Sequence, residues 1–103
     1  MAKKFSDGKI VFESDSATAV LLGKDQHCEF LKLVINPQSK IPKHSMDITV
    51  NFFLISGRGI LYINGQKIDL QSGDLISLAP GEEREWENAT DNPIEILVIK
   101  ELQ

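Results

Sequence analysis

Asn64 and Gly65 stand between ILYI and QKIDL, and no other stretch of this chain restricts its fold as strongly. Both residues accept positive φ, as a two-residue type I′ turn requires, and strand-like runs flank them, so the segment reads as a β-hairpin. Similar punctuation recurs about every eight to twelve residues, the spacing of a sandwich or barrel. Gly57, Arg58 and Gly59 mark one reversal; Gln71, Ser72, Gly73 and Asp74 mark another. GKDQH separates the runs 20–22 and 28–35, and Pro93 opens a last strand, IEILVIKE. No segment carries a capped 3.6-residue period, so little or no helix is expected. About eight or nine short strands must then hide their edges, most simply by closing into a barrel or double sheet.

A chain of 103 residues is expected to form one domain, 1–103, large enough for one modest core. Its net charge of −4 argues against a nucleic-acid surface, which would be basic. The one basic cluster, Lys3 and Lys4, reads as a solvated terminus. Cys28 is the only cysteine, so no internal disulfide can form, and a reducing compartment is the simplest reading. In QHCEFLKLV it reads as a small buried hydrophobe rather than a nucleophile. No apolar run approaches the roughly 18–20 residues that cross a bilayer. MAKKFSDGK has no hydrophobic segment after its lysines and does not read as a secretory signal. The expectation is a cytoplasmic protein without a membrane or nucleic-acid partner.

The period of a strand assigns faces. In IPKHSMDITVNFFLISGRG, residues 41–59, one parity holds His44, Met46, Ile48, Val50, Phe52 and Leu54. The other holds Ser45, Asp47, Thr49, Asn51, Phe53 and Ile55. Residues two apart share a face, so the more apolar first set is predicted to face inward, with His44 at its end. In GEEREWENATDN the three glutamates Glu83, Glu85 and Glu87 belong in water. Arg84, Trp86 and Asn88 are therefore predicted to point inward. An inward arginine beside a tryptophan is unusual, because Arg is seldom buried unless paired or bound to something.

These two stretches resemble the paired motifs of the cupin superfamily, G-x5-H-x-H-x3/4-E-x6-G and G-x5-P-x-G-x2-H-x3-N, over a core of about 30–100. His44 occupies the first histidine position, Met46 the second, Val50 the glutamate and Gly57 the closing glycine. In the second motif Gly73 with Asp74, Gly81 and Asn88 fit, Pro80 stands beside Gly81 one place after the motif's proline, and Arg84 stands where the histidine would be. The resemblance implies a small single-domain, double-stranded β-helix (jelly-roll) barrel. It also implies a metal site, yet three of the four usual ligands are changed. Met46 offers a thioether, Val50 nothing, and Arg84 a fixed cation without a lone pair. No metal or cofactor is therefore expected, a site rebuilt from His44, Glu82 and water being the remote alternative.

The favoured reading is a metal-free barrel that binds a small anionic or sugar-like ligand through His44, Met46, Phe52, Arg84 and Trp86. Arg84 would clamp an anion bidentately, His44 would donate a hydrogen bond, and the others would form an apolar wall. The plain structural alternative has His44 bonded to a loop carbonyl, Arg84 swung out to Glu82, and a lumen packed solid with side chains. The catalytic alternatives are an isomerase-like enzyme using His44, with Tyr62 and Asp47 or Asp74, and a degenerate metal-dependent oxygenase. No catalytic residue is assigned. The resemblance implies a homodimer, to which the strand-like segment KIVFESDSATAVLL, outside the motif core, could add an edge.

Overall fold

The computed structural model describes residues 8–102; Lys3, Lys4 and most of MAKKFSDGK, read above as a solvated start without a leader, lie outside them. The described residues hold ten strands and no helix, one or two strands more than the punctuation suggests. They are β1 (Lys9–Glu13), β2 (Ala17–Lys24), β3 (Cys28–Ile35), β4 (Ser39–His44), β5 (Thr49–Ser56), β6 (Arg58–Ile63), β7 (Gln66–Gln71), β8 (Leu75–Leu78), β9 (Arg84–Asn88) and β10 (Ile94–Glu101). A six-stranded sheet has the order β1-β2-β3-β10-β5-β8, and a four-stranded sheet the order β4-β9-β6-β7. Every pairing is antiparallel.

Turn chemistry explains the hairpins. Asn64 and Gly65 have φ of 49° and 83°, both in the left-handed region of a type I′ turn, and close β6 onto β7 with Ile63 opposite Gln66. Between β2 and β3, one carboxylate oxygen of Asp25 accepts from the backbone N–H of His27 at 2.7 Å and of Cys28 at 2.8 Å. Those bonds, to Cys28 first, hold the Asp25 carboxyl below its ordinary pKa. Cys28 itself is half-buried, less enclosed than its apolar neighbours suggest. Gly57 (φ 91°) must be glycine on two counts: a Cβ there would sit 2.9 Å from the Pro93 carbonyl oxygen, and L-residues rarely adopt that φ.

Two rows of opposed residues define the interior. Across the large sheet, Leu21 faces Leu31, Leu31 faces Val98, Val98 faces Phe52, and Phe52 faces Ile76. Across the small sheet, Ile41 faces Trp86, Trp86 faces Leu61, and Leu61 faces Ile68. Directly opposed residues share a face, so the two rows meet between the sheets as the core. On β5, Val50, Phe52 and Leu54 are buried while Phe53 and Ile55 are exposed, the predicted parity.

One part of that parity needs correction. Residues 41–59 are not one strand: His44 ends β4 in the small sheet, and Thr49 begins β5 in the large one. The period-2 count cannot run through the crossing. Within β4, three steps from Ile41 to His44 match two steps from Trp86 to Arg84 on β9. This bulge contains Pro42, which lacks an N–H for the ladder. His44 thus arrives opposite Arg84 by a register shift, and it is exposed rather than the inner end of an apolar stripe.

Candidate ligand-binding site

Between the sheets lies a cavity of about 480 Å³, within the range of small-molecule sites. The lumen is open rather than packed solid. His44, Met46, Phe52, Arg84 and Trp86, the five residues singled out from the sequence, all line it. Phe52 and Trp86 meet edge to face, ring centroids 5.3 Å apart. Trp86 lies against Gly59, where a Cβ would stand 3.2 Å from its Cζ3; a bare backbone at that point lets the indole settle into the wall.

Arg84 is 1% exposed. Its Nε and Nη2, and the Trp86 Nε1, are buried without a hydrogen-bond partner. Among the described residues no carboxylate lies within 4.0 Å of its guanidinium. Burial pushes the Arg84 pKa down from its ordinary value, and the nearby charge of Glu82 only partly opposes this. Glu82 is otherwise engaged: Oε1 accepts from the Ala79 N–H at 2.7 Å, and Oε2 from Asn64 Nδ2 at 3.4 Å. The surface pairing of Arg84 with Glu82 is therefore not formed.

Asn88, the third inward residue of β9, shows what a satisfied buried polar group looks like in this fold. Its Nδ2 donates to the carbonyls of Ile35 (3.2 Å), Asn36 (3.1 Å) and Asn92 (2.8 Å). Its Oδ1 accepts from the N–H and hydroxyl of Thr90. Asn88 ties the β3–β4 and β9–β10 connections together; the guanidinium of Arg84, two turns of the pleat away on the same face, has no hydrogen bond to Nε or Nη2 among the described residues.

His44 lies at the mouth, its Nδ1 3.2 Å from the Pro42 carbonyl, a contact inside the β4 bulge rather than with a loop. The residues named for isomerase chemistry are not brought to it. Tyr62 donates to Glu87 at 3.0 Å, which pushes its pKa up, and neither Tyr62, Asp47 nor Asp74 lines the cavity.

Sequence reasoning missed the opposite wall: Phe12, Ala19, Leu31 and Leu33 from β1 to β3, and Val98 and Lys100 from β10. A signal for the last two was present. Ile94, Ile96, Val98 and Lys100 share one parity, the first three are buried, and Lys100 extends the stripe to the cavity. Its ammonium lies 3.7 Å from Glu29 Oε1.

Two antiparallel sheets facing each other around such a cavity define the class as a double-stranded β-helix barrel with an interior site. The chain belongs to the cupin family, whose cupin-domain profile matches residues 31–100. Among solved structures, it superposes on a predicted oxalate decarboxylase from Thermotoga maritima with TM-score 0.86 and 18% identity, over 100% of both chains. A polyketide cyclase, RemF from Streptomyces resistomycificus, gives TM-score 0.85 and 16% identity over 100% of this chain and 81% of the other. An RmlC-like cupin from Shewanella frigidimarina gives 0.84 and 11%, over 100% and 96%. At such identities the likeness is one of fold. No curated protein matches the chain in sequence.

The metal that cupin motifs imply does not fit the residues present. Of the four ligand positions, only His44 carries a strong donor, and Arg84 places a buried cation where a ligand would stand. Among the described residues no group of three His, Cys, Asp or Glu side chains is placed to hold an ion. No helix among them is long and apolar enough to cross a membrane.

Proposed function

We propose that this cupin barrel binds a small anionic or sugar-like organic molecule in the cavity between its sheets, without a metal. One observation carries the reading: a buried, unpaired guanidinium in the wall of an otherwise apolar cavity. Unpaired buried charges are strongly unfavourable; Asn88 on the same face is fully satisfied, whereas the Arg84 nitrogens and the neighbouring Trp86 Nε1 are not. A ligand acceptor completes Arg84. Because the guanidinium is seated in the wall at 1% exposure, pairing requires a small rotation of its side-chain torsions as the ligand enters.

Thermal shift and isothermal titration against carboxylates and sugar phosphates test the proposal. A compound should stabilise the wild type and leave Arg84→Met unmoved; equal shifts in both, or none in either, would sink it. We further propose a cytoplasmic homodimer. The open edge strand β1, with Ile10, Val11 and Phe12 about half exposed, supports it by offering unpaired backbone groups to a second copy.

A further inference from the structure

We infer that the ligand is a monocarboxylate with an apolar body, and neither a sugar nor a phosphate. The inference rests on the binding role proposed above and narrows its chemistry.

The hydrogen-bonding character of the wall excludes a sugar. Arg84 Nε, Arg84 Nη2 and Trp86 Nε1 can only donate, and these are the buried side-chain atoms left without partners. None of the 15 lining residues is Asp, Glu, Asn, Gln, Ser, Thr or Tyr. Apart from the exposed imidazole of His44 and the weak Met46 thioether, no lining side chain accepts a hydrogen bond. A sugar would bring several hydroxyl protons into such a wall with nowhere to place them, and buried unsatisfied donors are unfavourable. An acceptor-only headgroup matches the wall.

The charge of the wall limits that headgroup. Arg84 is its buried cation and has no ion-pair partner among the described residues. Lys100 is only half-buried and lies 3.7 Å from Glu29, a carboxylate it shares with Lys24 at 4.0 Å, and Lys43 is exposed at the mouth. Deep in the wall, away from these solvent-exposed or half-buried lysines, one buried positive charge calls for one negative charge. A phosphate dianion would leave a second charge against Phe52, Val50 and Val98.

The geometry of the orphaned atoms selects the carboxylate. Nε–H and the facing Nη2–H lie along one edge of a planar guanidinium, with the spacing of two carboxylate oxygens. That edge is buried, and the side-chain rotation proposed above turns it to the cavity, which is walled by apolar side chains from both sheets, including the Phe52–Trp86 pair. These favour an aromatic or branched aliphatic body through burial of apolar surface.

The test is a titration of the wild type with four probes: 3-phenylpropionate, its neutral amide, succinate and glucose 6-phosphate. Trp86 is the only tryptophan, so its fluorescence reports occupancy beside calorimetry. 3-Phenylpropionate should bind about ten- to hundredfold more tightly than the amide, the factor of a charge-assisted hydrogen-bonded pair. It should also exceed succinate and glucose 6-phosphate by about tenfold or more, and Arg84→Met should reduce it to the level of the amide. Glucose 6-phosphate or succinate as the tighter ligand, lost in Arg84→Met, overturns the monocarboxylate and leaves the binding role standing. An amide that binds as well as the acid overturns the anion seat itself. Binding of no probe, or binding unchanged in Arg84→Met, overturns both. The amide comparison uses the wild type alone and does not depend on the folding of any variant.

Discussion

Arg84→Met should make the ligand-free protein more stable, against the usual direction of a core substitution. Most point mutations destabilise by about 1 kcal/mol. Here the guanidinium is 1% exposed, two of its nitrogens have no partner, and among the described residues no carboxylate is within 4.0 Å. Each buried unsatisfied donor costs about 1–3 kcal/mol, and an isolated buried charge costs several. Methionine keeps an unbranched apolar stem of similar reach, so the packing of the arginine methylenes is largely retained. Allowing for relaxation and for the attraction of Glu82, the net gain should be about 2 kcal/mol. For a domain of this size that raises Tm by about 8–16 °C. The burial penalty on Arg84 lowers a pKa that lies far above neutrality, so the gain should be the same at any pH near 7. Calorimetric melts and urea midpoints should be measured in a buffer without carboxylate or phosphate, which could occupy the seat. A Tm at or below that of the wild type would mean the guanidinium is already satisfied, and that Arg84 is no anion seat.

Asn88→Ala should destabilise by about 2–3 kcal/mol in urea titrations, because three carbonyls and Thr90 lose a shared partner; a change within error would show that the loops hold themselves. Gly59→Ala should cost about 1–2 kcal/mol and shift Trp86 fluorescence, since the added carbon would lie 2.8 Å from Ile94 Cδ1 and 3.2 Å from Trp86 Cζ3. Glu95 is held below its ordinary pKa of 4.5, first by the hydrogen bond from Lys32 and then by that from Ser56. Its contribution is therefore present above that value and lost as pH falls through the lower folded one. Glu95→Gln should weaken the protein by less than about 1 kcal/mol at pH 7 and converge with wild type on acidification; an offset constant down to pH 3 would refute the assignment. Sedimentation should give a dimer at tens of micromolar that a lysine in place of Val11 on β1 weakens; a wild-type monomer would remove the second copy.

Much of the fold was legible because its signals are local. A two-residue turn is written in two adjacent residues, Asn64 and Gly65, and the inward parity of Arg84, Trp86 and Asn88 follows from three outward glutamates beside them. His44 was the instructive failure. Its place on the lining came from a bulge at Pro42 and a change of sheet before Thr49, and counting by twos registers neither. The far wall was harder still, since Ala19, Leu31 and Leu33 contribute only when β2 and β3 fold across from β4 and β9.

The sequence by itself determined an all-β chain with cupin turn spacing, and a cation at a position where a metal ligand would stand. Whether that cation is paired, and whether space remains beside it, are properties of groups distant along the chain. Glu82 is two residues from Arg84, yet its carboxylate is engaged by Ala79 and Asn64 across a turn. Only the closing of two sheets around an incompletely filled interior left Arg84 buried, unpartnered and facing a cavity.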